Sequence, residues 1–257
     1  MSELKLALVQ ADLVWEDASR NRDKFERLLS SVSSSVDIIV LPEMFSTGFS
    51  MEPQRLAEPL DGPTITWMRQ KAAAMQAVIT GSVIIEEEDQ YFNRLIWMMP
   101  SGEFQYYNKR HLFTLAGEEK VYTAGTTQLL INYRDWKIMP LICYDLRFPV
   151  WSRNQFQYDL LLYVANFPDK RSFAWRSLLQ ARAIENQSYT IGLNRVGTDG
   201  NGIYYAGDSM LVSYNGRIAT HLPPREIVQE VTITKAPQDN FRQKLAFLPD
   251  QDEFIIS

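Results

Sequence analysis

Short apolar runs recur at 4–11, 37–42, 78–85, 93–99, 137–143, 159–165, 189–195, 208–213 and 227–233, and amphipathic stretches at 19–32, 63–76, 150–157 and 172–187 fall among them. Runs of this length suit strands, and the stretches between suit helices: Phe25, Leu28, Leu29 and Val32 recur at helical spacing behind the polar start Ser19-Arg20-Asn21-Arg22-Asp23. The helix candidates end at residue 187, whereas Tyr214-Asn215-Gly216-Arg217 between two later apolar runs is a hairpin signal. Strands alternating with helices early and hairpins late predict an α/β layered fold with mixed sheets. No repeat, low-complexity tract or linker rich in Pro, Gly or Ser divides residues 1–257, so a single domain is expected.

Several function classes recede on charge and composition. A net charge of −5 argues against a nucleic-acid binder or a protein of anionic membranes, both of which need a basic surface. No apolar run approaches membrane-spanning length, and no basic segment leads into a long apolar stretch at the N-terminus. With one free cysteine and no visible export signal, the expected compartment is the cytoplasm.

That cysteine, Cys143, sits where an apolar strand breaks into a polar turn, Ile138-Met139-Pro140-Leu141-Ile142-Cys143-Tyr144-Asp145-Leu146-Arg147-Phe148-Pro149. A lone cysteine forms no intramolecular disulfide, so its chemistry is packing or reactivity, and this window alone fits either. A cysteine nucleophile needs a base and a group to hold the oxyanion. Two further windows offer them. Asp37-Ile38-Ile39-Val40-Leu41-Pro42-Glu43 ends a buried strand in a poorly solvated carboxylate, suited to accept a proton, although an ordinary loop carboxylate would look the same. Tyr106-Tyr107-Asn108-Lys109-Arg110-His111 places a lysine among aromatic residues at an element's edge, where a solvated surface lysine is the plainer reading. Taken together, Glu43, Lys109 and Cys143 each stand at a strand's C-terminal edge, where layered α/β proteins build their sites. The remaining option is a Cys–His pair using His111 or His221, which would leave the Glu and Lys windows unexplained.

The windows LPEMF at Glu43, YNKRHLF at Lys109 and ICYDLRFP at Cys143 resemble the nitrilase (carbon–nitrogen hydrolase) superfamily, and the likeness runs from about residue 4 to about residue 235. Leu4-Lys5-Leu6-Ala7-Leu8-Val9-Gln10-Ala11 looks like the family's first strand, and Trp175 to Gln187 like its helix after the cysteine strand. The wording around Lys109 and Cys143 is most similar to the omega-amidase branch, which hydrolyses the terminal amide of small dicarboxylic acid monoamides such as 2-oxoglutaramate. The resemblance implies a four-layer αββα sandwich, a homodimer through the helix layer after the cysteine, and catalysis without metal or organic cofactor. It implies Cys143 as nucleophile, Glu43 as general base, and Lys109 with the Tyr144 amide as oxyanion donors. A second glutamate is expected in the loop after the lysine. Of Glu118 and Glu119, the spacing to Tyr122 favours Glu119, unless both are solvated loop charges.

For a carboxylated amide the resemblance points to Arg147, whose planar guanidinium would hold the carboxylate, unless it pairs structurally with Asp145. Asn166 and Phe167 should line the pocket wall, with Phe45, Phe113 and Tyr144 adding apolar surface. The loop from Ala165 to Trp175 is shorter than in animal omega-amidases, so the acyl chain it accepts stays open. Glu185-Asn186 is expected to anchor a helix, with no catalytic part. Three functions follow in order: an amidase releasing ammonia from a short carboxylated amide, a hydrolase of another carbon–nitrogen bond such as a nitrile or N-carbamoyl group, and a non-catalytic binding protein on the same fold. Intact Glu43, Lys109 and Cys143 argue against the last.

Overall fold

Leu4, Leu6 and Leu8 of strand β1 (Glu3–Gln10) join one buried cluster while Ala7 and Val9 join another, so both faces of this strand are covered. That period-two split sets the layering. In the computed structural model, which describes residues 2–256, β1 belongs to a sheet containing β2 (Ile38–Val40), β3 (Val78–Glu87), β4 (Gln90–Met98), β5 (Phe104–Asn108) and the late strand β14 (Ile227–Thr234). A second sheet holds β6 (Ile131–Tyr133), β7 (Trp136–Ile142), β8 (Leu160–Ala165), β9 (Tyr189–Asn194), β12 (Met210–Val212) and β13 (Ile218–His221), while β10 (Val196–Thr198) pairs with β11 (Tyr204–Ala206) in a hairpin of its own. The orders are β14-β1-β2-β3-β4-β5 and β13-β12-β9-β8-β7-β6.

The two sheets face each other across a core in which Leu6, Leu8, Val40 and Trp97 meet Ile138, Leu141, Leu162 and Ile191. Helices α1 (Ala18–Leu29) and α3 (Pro63–Met75), separated in sequence by the single turn α2 (Pro53–Leu56), cover the outer face of the first sheet. There Phe25, Leu29, Ile65, Met68 and Ala72 meet Val9, Ile39, Ile79 and Met98. Burying a side chain such as Phe25 contributes about 1.5–3 kcal/mol. Helix α4 (Ser172–Asn186) covers the second sheet so closely that a Cβ on Gly192 would stand 2.4 Å from Leu179 and 2.6 Å from Trp175. The four layers are therefore helix, sheet, sheet, helix, the mixed α/β sandwich that the motifs imply.

Strand direction then positions the site. β1, β2 and β3 run parallel, and the two antiparallel pairings β3–β4 and β4–β5 return β5 to the direction of β3. In the facing sheet β7, β8 and β9 run parallel. The C-terminal ends of β2, β5, β7 and β8 hand the chain to Glu43, Lys109, Cys143 and Asn166 at one common edge.

Several boundaries differ from the sequence reading. Residues 150–157 form no helix: Asn154 accepts from the Tyr158 amide at 2.8 Å and donates to its carbonyl at 3.0 Å, and this side-chain competition with the backbone fixes an irregular turn. Helix α1 stops at Leu29, short of Val32, and β5, β6 and β13 lie outside the runs read as strands. Helix α5 (Lys235–Lys244) was also outside them, because polar contacts rather than an apolar stripe hold it: Arg242 donates to Asp159 at 3.1 Å and Gln238 to the Asp159 carbonyl at 2.8 Å. The Asn215-Gly216 turn does join β12 to β13 as an antiparallel pair. Among the described residues, no helix is long and apolar enough to cross a membrane.

Burial of phenols between the layers gives the fold an alkaline limit. Burial pushes Tyr107, Tyr158 and Tyr163 well above the ordinary tyrosine range. A raised folded-state value means stability is fully present below the unfolded value of about 10 and is lost as pH rises past it. The urea midpoint should hold steady to about pH 9 and fall steeply by about pH 11. A flat midpoint over that window would contradict this.

Candidate active site

Strand β7 ends at Ile142, and Cys143 turns the chain with φ 43°, in the left-handed region that side chains rarely enter. Such a conformation costs about 1–3 kcal/mol and persists only where its surroundings impose it. Asp145, buried within the 3-10 turn Cys143–Arg147, does the imposing. One of its oxygens accepts from the Ile142 amide at 3.0 Å and the Tyr107 hydroxyl at 2.7 Å, and the other accepts from the His111 amide at 3.0 Å and lies 2.8 Å from His111 Nδ1. Arg182 of α4 reaches the Leu146 carbonyl at 2.6 Å from the other side. The turn carrying the thiol is thus tied both to its own strand and to the loop that follows Lys109. The Tyr144 amide sits in the first positions of that turn, where N–H groups have no partner within it.

A second left-handed residue, Met44 with φ 43°, turns the chain after β2, its amide held by the Ser82 hydroxyl at 2.8 Å. This leaves Glu43 fully buried, and its oxygens are spoken for. Oε1 accepts from Lys109 Nζ at 2.9 Å and Asn93 Nδ2 at 2.8 Å, while Oε2 accepts from the Asn166 amide at 2.7 Å. Lys109 also donates to both oxygens of Glu118, at 3.0 and 2.9 Å, and its ammonium stands 5.1 Å from the centre of the Phe49 ring. The Phe113 amide donates to Glu118 at 2.5 Å.

These burials set the protonation states. Burial pushes the Cys143 thiol well up, the Glu43 charge adds to that, and Lys109 offsets only part, so the resting sulfur keeps its proton. It donates weakly to the Asn166 carbonyl at 3.9 Å. Burial opposes the charge on Lys109, yet the carboxylates of Glu118 and then Glu43 override it and hold the ammonium charged beyond the usual lysine range. Burial raises Glu118, with Lys109 pulling it back and Glu43 repelling. A protonated thiol beside a carboxylate and a fixed cation is an arrangement that can release its proton at the moment of attack and hold the resulting oxyanion.

Cys143, Lys109, Tyr144, Arg147, Asn166 and Phe167 all line one cleft, together with Phe113. Two expectations need correction, and two alternatives fall away. Glu118, not Glu119, meets Lys109: the 3-10 turn Glu118–Lys120 directs the first glutamate inward and leaves Glu119 exposed, a one-residue phase that spacing to Tyr122 does not encode. Phe45 is buried between Phe25 and Trp67 behind the first sheet, and the wall it was expected to form is supplied by Phe49. Neither histidine faces the thiol, since His111 stacks on Phe148 at 3.7 Å between ring centres and His221 lies 2.8 Å from Asp208. Arg147 does not pair with Asp145, whose oxygens are taken by Ile142, Tyr107 and His111; its guanidinium stands 5.6 Å from the Phe167 ring centre. Asn186 anchors α4 to the 150–157 turn through the Asn154 amide at 2.9 Å.

Asn93, Asp145 and Arg171 are site residues that sequence reasoning passed over. Asp145 alone carried a signal, as an acid two residues past a candidate nucleophile. Among the described residues, no group of three or more His, Cys, Asp or Glu side chains is arranged to hold a metal ion.

Comparison with known proteins places this geometry in context. The carbon-nitrogen hydrolase family model matches residues 5–241. The chain is 44% identical to the omega-amidase YafV of Escherichia coli over 100% of both proteins, and 30% identical to the 2-oxoglutaramate amidase of Bacillus subtilis over 83% of this chain and 84% of that one. Its fold superimposes with a TM-score of 0.98 on the crystal structure of XC1258 from Xanthomonas campestris, a CN-hydrolase superfamily protein with an arsenic adduct in the active site, at 42% identity over 100% of both chains.

Proposed function

The chain belongs to the carbon–nitrogen hydrolase family, and from that premise we propose that it is an amidase cleaving the terminal amide of small dicarboxylic acid monoamides, of the 2-oxoglutaramate and succinamate type, to the acid and ammonia. The observation that carries this reading is the left-handed Cys143 at the end of β7, with Glu43 and Lys109 brought to it from the other sheet.

In this reading the substrate carbonyl oxygen lies between Lys109 Nζ and the Tyr144 amide. Cys143 Sγ attacks the carbonyl carbon as its proton passes to Glu43, which supplies a base to a thiol that does not ionise unaided. The negative charge that develops on oxygen is held by Lys109, already fixed by Glu118 and needing no rearrangement. Glu43 returns the proton to the departing nitrogen, the carbon–nitrogen bond breaks, and a thioester remains. Water then gives a proton to Glu43 and attacks the thioester, and the carbon–sulfur bond breaks with the proton going back to sulfur. The balance is one amide and one water to one acid and one ammonia. Asn166 and Asn93 hold Glu43 in line throughout. Arg147, half-buried at the cleft wall, receives the substrate carboxylate.

We also propose a homodimer in the cytoplasm. Phe173 and Ile184, both on α4, are 79% and 57% exposed, an apolar surface on the outer helix layer that a second copy would cover. The test of function is ammonia release from 2-oxoglutaramate and succinamate by wild type and Cys143→Ala. Release by wild type alone is expected; equal release by the variant, or none by either protein, would overturn the assignment.

A further inference from the structure

Two guanidiniums, not one, face the cleft. Arg171, at the end of the 3-10 turn Asp169–Arg171 that leads into α4, lines it together with Arg147. Its guanidinium carbon stands 5.0 Å from the Phe113 ring centre and 5.8 Å from that of Phe167, while that of Arg147 stands 5.6 Å from Phe167. Both guanidiniums therefore stand near the same ring, that of Phe167. Arginines that reach the interior elsewhere have an acceptor for the guanidinium, a carboxylate as Arg94 has in Glu87, Arg195 in Asp12 and Arg242 in Asp159, or a carbonyl as Arg110 has in Gly125. Among the described residues, Arg147 and Arg171 have none.

The cleft does contain one other acid, but it is occupied. Asp199 accepts from the amides of Asn201 and Ile203 and from the Tyr205 hydroxyl, each at 2.9 Å, which fixes the turn between β10 and β11. The Lys109 charge is likewise consumed by Glu43 and Glu118. The cleft thus holds two planar cations with no carboxylate in direct contact, and neither can discharge by losing a proton. Stacking on aromatic rings steadies their planes and leaves their N–H edges free to donate.

We propose that Arg171 is a substrate-binding residue that sets specificity, forming with Arg147 a clamp for the 2-oxo acid end of the substrate; this rests on the amidase reading above. One arginine fork satisfies one carboxylate edge. A 2-oxo acid presents a wider edge, with the 2-oxo oxygen beside the carboxylate, and one planar fork leaves part of it unpaired. Arg147 and Arg171 together supply donors for both groups. A chain lacking the 2-oxo oxygen gives the second guanidinium less to hold. The shortened loop through Pro168 and Arg171 is then what adapts the pocket to this end of the molecule.

The test compares kcat/KM for 2-oxoglutaramate and for glutaramate, the same chain without the 2-oxo oxygen, in wild type, Arg171→Gln and Arg171→Lys. Hydrogen bonds to charged groups carry roughly 1.5–3 kcal/mol, so Arg171→Gln should raise KM for 2-oxoglutaramate by about 10- to 100-fold with kcat little changed. Glutaramate should suffer several-fold less, so the ratio of the two kcat/KM values falls. Arg171→Lys keeps the charge but not the fork, and the ratio should fall there too, which covers the case of a poorly folded glutamine variant. An unchanged ratio in the folded variants, whatever happens to absolute rates, would overturn the clamp alone. Wild type releasing ammonia from neither compound would overturn the amidase reading and the clamp with it.

Discussion

Replacing Glu43 with glutamine is expected to reduce kcat for ammonia release by about 10²- to 10⁴-fold, the range that general acid–base catalysis contributes. The size follows from the state of the nucleophile. Burial, which outweighs the opposing pull of Lys109, keeps the Cys143 thiol protonated even without the Glu43 charge, so attack without a base must carry an unfavourable ionisation inside a closed site. The same carboxylate serves twice more in the proposed cycle, protonating the leaving nitrogen and activating water, and glutamine can do neither. The fold should survive. A glutamine oxygen can still accept from the Asn166 amide, now 2.7 Å from Oε2, although its NH2 must then face the donors Lys109 and Asn93. That mismatch should lower stability by about 1–3 kcal/mol, well short of unfolding an intact domain. Steady-state rates beside a melting curve check both parts. Retention of more than about a tenth of wild-type kcat would be incompatible with Glu43 as the base.

The second large effect is expected from Lys109→Ala, and it falls on stability as well as rate. Lys109 has no exposed side-chain surface and joins two carboxylates that are equally buried. Removing one partner of a buried ion pair typically costs about 3–5 kcal/mol, because the remaining charge is left desolvated and unpaired. Here two such charges would confront each other. The rate should fall by at least about 10²-fold through loss of the oxyanion donor. The stability deficit carries a pH signature of known sign. Burial already raises Glu118, and without the ammonium that holds it back it will bind a proton more readily. A raised folded-state value favours the folded form at low pH and loses that advantage as pH rises. The difference in unfolding free energy between wild type and Lys109→Ala should therefore narrow from about pH 8 to about pH 5. A deficit that is small and flat with pH would mean the lysine does not neutralise this cluster.

Much of this geometry has a visible origin in the sequence. The apolar runs before Glu43 and Cys143 end in polar turns because β2 and β7 are covered on both faces and must surrender the chain at an edge, so strand-end residues were natural candidates. The alternation of Leu4, Leu6 and Leu8 with Ala7 and Val9 likewise announces a strand between two layers. What escaped is governed by contacts between distant segments or by a phase of a single residue. Glu118 and Glu119 differ only in which of them a 3-10 turn directs inward. Phe45 and Phe49 lie one turn apart, and the left-handed Met44 sends the first to the core behind the sheet and leaves the second at the cleft. The helix expected over 150–157 carries sufficient apolar residues, yet Asn154 competes for the backbone and wins. Arg171 could not be distinguished from its neighbours Lys170 and Ser172 until the fold placed it on the cleft wall.

The most direct test of the central claim is the intact mass of the enzyme quenched in acid during turnover of 2-oxoglutaramate. The account predicts a species heavier than the free chain by the substrate less ammonia, located by peptide mapping to Cys143, lost on continued incubation and absent from Cys143→Ala. Full activity with no adduct at Cys143, together with undiminished ammonia release by Cys143→Ala, would contradict a thioester route.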